Sequence, residues 1–242
     1  MLKKIIPHAI TSANLFCGCV AITQIAIGNL AIASLLVLLG AFFDFFDGMA
    51  ARFLKVTSPL GAQLDSLADV ITFGVVPAYL AFSWLNQIEP TMFNYLAFLI
   101  AIFSAVRLGK FNIDTRQTDS FIGLPTPANA LFWISLPLTQ WQVENQVGLI
   151  QIKELMLIFE QAYLIFGFIV LLSFLLIAEL PLIALKFKNL SWNSNQFRWI
   201  LLISSLVLIV LFLFAAIPII LLLYLTLSII QTSTNKHDEI QS

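Results

Sequence analysis

The chain has 242 residues, 60% of them hydrophobic and 10% charged, with a formal net charge of −1. Soluble domains carry about 25% charged residues, and the mean hydropathy here is +0.96, so the composition excludes an ordinary soluble domain and specifies an integral membrane protein. The near-neutral balance argues against a nucleic-acid partner. The start Met1-Leu2-Lys3-Lys4 is basic, but no small-residue cleavage site follows a short apolar core, so no cleavable signal peptide is expected.

Apolar length, Pro and Gly punctuation and charge predict an all-α integral membrane fold, a polytopic bundle of about eight transmembrane helices. The predicted spans are approximately 8–27, 30–55, 60–85, 91–112, 126–142, 156–178, 198–214 and 216–231. No internal repeat or low-complexity linker divides residues 1–242, which read as a single membrane domain. In the first span, Cys17 and Cys19 stand at i, i+2 and point to different faces, which suits buried or lipid-facing thiols better than a metal site or a disulfide. Asn14 in the same span is costly to bury and calls for a partner, either a neighbouring helix or a ligand. His8 reads as a residue at the membrane interface.

The second and third spans carry the unusual charges. Asp44 and Asp47 stand at i, i+3 with Gly48 and Ala51 one turn on, so one face reads acid, acid, small, small. Gly61, Asp65 and Asp69 form an i, i+4, i+8 ladder after a short loop around Thr57-Ser58-Pro59. An antiparallel pair joined this way can point both acid pairs at one space, with Gly48, Ala51 and Gly61 leaving room for a bulky ligand. Each carboxylate at membrane depth costs roughly 2.5–3.5 kcal/mol, so four demand an opposing stabilisation. An oxygen-only set suits Mg²⁺ or Mn²⁺; the only histidines, His8 and His237, are not near this face, which disfavours zinc. Two such ions would neutralise the acids and leave attraction for a diphosphate, to which Arg52 can add a bidentate contact. Ion pairing or a proton relay is the alternative, although Arg52 alone cannot satisfy four acids.

The fourth span ends in a basic cluster, Arg107 and Lys110, followed by Arg116; Asp114 and Asp119 read as solvated loop residues. Arg107 and Lys110 read either as ligand contacts or as positive anchors at a helix end. The last three spans are rich in Leu, Ile and Phe, apart from Glu179, which can snorkel or pair with Lys186 or Lys188. Trp84, Trp141 and Trp199 fall near predicted helix ends, as an interfacial belt requires. With the N-terminus inside, all of the 12 Lys and Arg except Lys153 fall on the cytoplasmic side, which places the acid pairs at the cytoplasmic boundary. The final two spans meet near Ala215-Ala216-Ile217-Pro218, and the tail 232–242 is polar and reads as mobile.

The spacing Asp-x2-Asp-Gly-x2-Ala-Arg-x8-Gly-x3-Asp-x3-Asp, carried by Asp44, Asp47, Gly48, Ala51, Arg52, Gly61, Asp65 and Asp69, resembles the signature of the CDP-alcohol phosphotransferases. The resemblance implies transfer of a phosphatidyl or phosphoalcohol group from a CDP-linked donor to an alcohol, with release of CMP and two divalent metals. It assigns Asp44, Asp47 and Asp65 as metal ligands and Asp69 as both a ligand of the second metal and the catalytic base. Gly48, Ala51, Arg52 and Gly61 match the positions that accommodate or contact the CDP diphosphate.

Further stretches resemble the bacterial and archaeal phosphatidylserine synthases. They are Ile6-Pro7-His8-Ala9-Ile10-Thr11-Ser12-Ala13-Asn14-Leu15-Phe16-Cys17-Gly18, Ile71-Thr72-Phe73-Gly74-Val75-Val76-Pro77-Ala78, Arg107-Leu108-Gly109-Lys110-Phe111-Asn112 and Phe121-Ile122-Gly123-Leu124-Pro125-Thr126-Pro127. The family commonly reads Arg-Leu-Ala-Arg-Phe-Asn at the third, and Lys110 keeps the charge without the planar fork. The expected reaction moves the phosphatidyl group of CDP-diacylglycerol to L-serine, with Arg107, Lys110, Asn112 and Thr126 contacting the acceptor and the loop 113–125 able to close over it. Glycerol 3-phosphate or inositol as acceptor is a rival, and an ion-coupled transporter is a rival of another class. The remaining expectations are a catalytic part over 1–130, scaffold or dimer helices over 131–231, a homodimer, and a cell (inner/plasma) membrane location with N-terminus and active site cytoplasmic.

Overall fold

The computed structural model describes residues 2–56, 58–113, 121–150, 153–183, 191–192 and 195–241. Helix α1 (Leu2–Ala26) and helix α2 (Leu30–Phe53) form an antiparallel pair. They turn at Gly28, whose φ of +85° is the left-handed conformation glycine adopts without strain. Helix α3 (Pro59–Asp69) starts on Ser58, whose Oγ accepts from the Gly61 amide at 3.3 Å, with Pro59 at the first helical position. It runs through a π-helical turn, Val70–Val75, into α4 (Val76–Ile88). Pro77, which lacks an N–H and crowds the carbonyl four residues back, stands where the wide turn returns to α-helix.

A 3₁₀ segment (Met92–Phe98) leads into α5 (Leu99–Ile113), and α6 (Thr126–Glu144) follows. Two residues, Phe121–Ile122, pair antiparallel with Pro181–Leu182 and clamp the entry to α6. At the clamp, Gly123 has φ +75°, and a Cβ there would meet the Leu176 carbonyl oxygen at 2.8 Å and the Ala178 carbonyl oxygen at 2.9 Å. The chain ends in α7 (Lys153–Phe159), α8 (Ala162–Ile177), α9 (Gln196–Phe212) and α10 (Ala216–Gln241). The main core lies where α1, α2, α4 and α6 meet α8, around Trp133, Phe73, Leu80 and Ile165.

The all-α membrane architecture matches the expectation, but the eight-span count does not follow from it. Among the described residues, five stretches are long and apolar enough to cross a membrane: Ile5–Ala26, Leu30–Phe53, Pro59–Ile88, Met92–Ile113 and Gln196–Thr234. Helix α6 carries buried Asn129, Ser135, Thr139 and Gln142 and is not among them. The span expected over 156–178 is broken, because Gln161 is extended (φ −92°, ψ 107°) and leaves α8 with 16 residues.

The stretch Gln196–Thr234 reverses at Leu213 (φ +50°), earlier than the junction expected near Ala215–Pro218. Gln142 of α6 holds this turn, donating to the Phe212 carbonyl and accepting from the Phe214 amide, each at 3.1 Å. From Thr232 the chain continues α10 as helix to Gln241. Trp84 is not in an interfacial belt: it is buried, and its Nε1 donates to the Phe159 carbonyl at 3.0 Å. Trp141 is exposed. Cys17 is buried and Cys19 exposed, both as free thiols. Arg116, Asp114, Asp119, Lys186 and Lys188, and most of the loop 113–125, lie outside the described residues.

Gly123→Ala is expected to lower stability by about 1–3 kcal/mol from the left-handed conformation alone, with more from the carbonyl clash. Thermal unfolding of the purified protein in detergent measures it, and Gly109→Ala, inside α5 and with nothing within 4 Å among the described residues, serves as the control that is expected not to destabilise.

Candidate active site

Helix periodicity puts Asp44 and Asp47 on one face of α2. The Ser58 cap fixes the start of α3, so Asp65 and Asp69 stand on the face opposite. Carboxylate oxygens of Asp44, Asp47 and Asp65 lie within 4.8 Å of one another. Asp47 is buried, and its Oδ2 has no hydrogen-bond partner among the described residues. An ionised carboxylate oxygen, buried and unsatisfied beside two more, is costly unless a cation completes it. The donor set is all oxygen, so it fits a hard divalent ion such as Mg²⁺ or Mn²⁺.

Asp69 stands beside this triad, next to Asp44, and is 8% exposed. Its Oδ1 accepts from Asn14 Nδ2 at 3.2 Å. Asn14 is fully buried on α1, and its backbone carbonyl accepts from Thr72 Oγ1 in the π-helical turn at 3.2 Å. Asn14 thus joins α1 to the acid cluster and to the segment immediately after Asp69. Of the two partners the sequence left open for Asn14, the structure supplies the neighbouring helix, and that neighbour is a candidate catalytic residue.

A cavity of about 250 Å³ opens beside the triad, with Asp47, Gly48 and Ala51 on one side and Gly61 and Asp65 on the other. A Cβ on Gly48 would meet nothing within 4 Å, so the space in front of it is open to a ligand. A Cβ on Gly61 would come within 3.0 Å of His8 Nε2. His8 and Thr11 of α1 close the third side. His8 therefore faces the cavity instead of serving only as an interface residue. The Thr11 hydroxyl lies next to Asp47 and donates to the Pro7 carbonyl at 3.0 Å. Thr11 was given no role of its own in the sequence; the signal was the polar series His8, Thr11 and Asn14 down one side of α1. Arg52 is exposed and does not line this cavity, and its Nε donates to the Gly48 carbonyl at 3.0 Å.

The four residues expected to meet the acceptor separate into groups. Arg107 is only 7% exposed, so it is not a positive anchor reaching for the membrane surface. Its Nη1 donates to Thr126 Oγ1 at 3.4 Å, and its guanidinium lies over the Phe111 ring at 6.0 Å. Its Nε has no partner among the described residues. Asn112 donates to Ser66 Oγ at 2.9 Å, which ties the end of α5 to the residue after Asp65. Lys110 is exposed.

The acid cluster is one that could hold a metal ion, and the sequence matches a known family across most of its length. The profile of the CDP-alcohol phosphatidyltransferases matches residues 4–211, and the chain belongs to that family. The chain is 38% identical over 151 residues to a CDP-diacylglycerol–serine O-phosphatidyltransferase of Bacillus subtilis, covering 62% of this chain and 85% of that protein. It is 32% identical over 205 residues to an enzyme of the same description from Helicobacter pylori, covering 84% of this chain and 81% of that protein. An archaetidylserine synthase of Methanothermobacter thermautotrophicus is 34% identical over 150 residues, covering 61% of this chain and 64% of that protein.

Asn14→Leu removes the partner of Asp69 while roughly keeping side-chain volume. Loss of such a supporting contact is expected to lower kcat by about 10–100-fold with little change in donor KM, as measured by CMP release in folded, detergent-purified protein. A variant with wild-type kcat would show that Asp69 needs no such anchor.

Proposed function

We infer that the protein transfers the phosphatidyl group of CDP-diacylglycerol to L-serine, giving phosphatidylserine and CMP. The observation that carries this reading is the triad Asp44, Asp47 and Asp65 opening onto a cavity walled by Gly48, Ala51 and Gly61. The serine acceptor is supported by relatives that share this chemistry and are named for serine or archaetidylserine products.

Asp44, Asp47 and Asp65 would hold the divalent metal, with Asp69 joining at a second ion, Mg²⁺ or Mn²⁺ in each case. Bound there, the ions would supply charge neutralisation for the diphosphate and for the departing phosphate. The small residues on α2 and α3 let the diphosphate approach the backbone closely, and the Arg52 guanidinium, tethered by its Nε, can meet it from the rim. Asp69 is the base. Asn14 occupies one side of its carboxylate, which directs the other oxygen toward the serine hydroxyl and sets the angle of proton transfer. The freed oxygen attacks the phosphorus next to the diacylglycerol in line with the leaving CMP oxygen, whose bond breaks as the new ester forms. Arg107 and Thr126 offer donors for the serine carboxylate, with Asn112 and Lys110 nearer the rim.

A transporter would need the four acids but not a diphosphate-sized space in front of Gly48, so the enzyme reading accounts for more of the site. We further propose that residues 1–130 hold the catalytic machinery, that the later helices serve as scaffold and dimer surface in a homodimer, and that the helices form eight crossings. The N-terminus and active site would face the cytoplasm in the cell (inner/plasma) membrane, as the distribution of Lys and Arg supports.

With Mn²⁺ or Mg²⁺ and CDP-diacylglycerol, the purified protein is expected to release CMP on addition of serine and to form a serine-containing lipid. Inositol or glycerol 3-phosphate giving the only lipid product would overturn the acceptor assignment. Chelation with EDTA should abolish turnover, and re-addition of Mn²⁺ should restore it. Asp69→Asn is expected to lose at least about 100-fold in kcat while still binding donor, and full activity in that variant would exclude Asp69 as the base.

A further inference from the structure

The reaction above leaves unused an apolar cavity of about 380 Å³ between α6, α9 and α10. Leu131, Leu201 and Leu221 give its wall an aliphatic character, one from each helix. One end is polar. Tyr224 lines the cavity and donates its hydroxyl to the Ile183 carbonyl at 3.1 Å. Pro125 lines it as well, immediately before Thr126, the residue that accepts from Arg107. Tyr224 is an electrostatic neighbour of Arg107, and Arg107 is in turn a neighbour of Asp69. Arg107 therefore stands within electrostatic reach of both the acid cluster and the polar end of the aliphatic cavity.

Arg107, 7% exposed, has an Nε–H without a partner among the described residues, and such a buried donor calls for an oxygen acceptor from a ligand. An aliphatic cavity calls for hydrocarbon. A single molecule meets both demands when its phosphate end engages the acid cluster and its tail is an alkyl chain. We propose that this cavity receives one acyl chain of the CDP-diacylglycerol donor, with the Arg107 Nε–H toward its ester-linked glycerol and Tyr224 at the start of its tail, while the Arg107 Nη groups remain the donors offered to the serine carboxylate.

The proposal rests on the donor assigned above and extends the substrate site to helices α9 and α10. Bilayer hydrocarbon is already as apolar as leucine, so a chain gains little hydrophobic free energy by leaving it. The cavity therefore acts through shape. A chain that fits holds the glycerol end beside Arg107 and the phosphorus near Asp69, whereas a chain too short to enter is held by its head alone. The signature is discrimination between donors by chain length.

Ala128→Trp places an indole in the cavity, and Leu221→Ala enlarges it. With the full-length protein in detergent, Ala128→Trp is expected to lower kcat/KM for a dioleoyl donor about tenfold through donor KM, leaving a dihexanoyl donor unchanged. Leu221→Ala is expected to weaken the preference for dioleoyl over shorter saturated chains without loss on dihexanoyl donor. Equal losses on long and short donors, or an unaltered ratio in both variants, would overturn the proposal. The acceptor is read separately from the lipid product. Discrimination by chain length together with a glycerol phosphate product would support the acyl site and overturn the serine assignment.

Discussion

Thr72 sits where three helical segments meet with almost no space between them. A Cβ on Gly18 of α1 would lie 2.6 Å from the Thr72 hydroxyl oxygen, and one on Gly40 of α2 would lie 2.7 Å from its methyl carbon. Burial of apolar surface from lipid supplies little drive for helix association, so close approach of backbones at small residues and hydrogen bonds between helices must supply it. Both are present at this crossing, where Thr72 donates to Asn14 and Asn14 donates to Asp69. The acids on α2 and α3 converge because the helices that carry them are locked against α1 only a few residues away. A bulkier side chain at either glycine would separate the helices, and the carboxylates would no longer share a cation.

Several features were plain in the sequence because they are local. The i, i+3 and i, i+4 spacings of Asp44, Asp47, Gly61, Asp65 and Asp69 fix which side chains share a face, and Ser58-Pro59 marks where α3 begins. Other features were not, because they join distant residues. Asn14 and Asp69 are 55 positions apart, and periodicity gives no register between two helices. The basic residues at the end of α5 looked alike as helix-end charges, yet Arg107 is buried against Thr126 while Lys110 is exposed. The difference comes from the contact of Arg107 with Thr126 at the start of α6, which a charge map does not contain.

The C-terminal third was least legible for a related reason. Its helices are apolar on nearly every side, so no stripe announces an inward face, and the break read near Ala215–Pro218 falls at Leu213. The break is imposed from elsewhere. Gln142, fully buried on α6, satisfies the backbone on both sides of Leu213 and so makes a reversal tolerable away from water. A polar residue in one helix thus decides the topology of two others.

The π-helical turn at Val70–Val75 has a consequence for how the span Pro59–Ile88 is divided. A π turn inserts one residue without ending the helix, so faces before and after it are offset by about 100°. Upstream of it the helix is one-sided, with Ala68 and Asp69 inward. Downstream, Val76 to Leu85 are buried on most sides among α1, α6 and α8. The two halves answer to different neighbours: one keeps phase with the acids of α2, the other with the hydrocarbon core. The extra residue acts as a phase slip between them, so the acid face can stay aligned to its partner while the rest of the helix rotates to wherever packing requires.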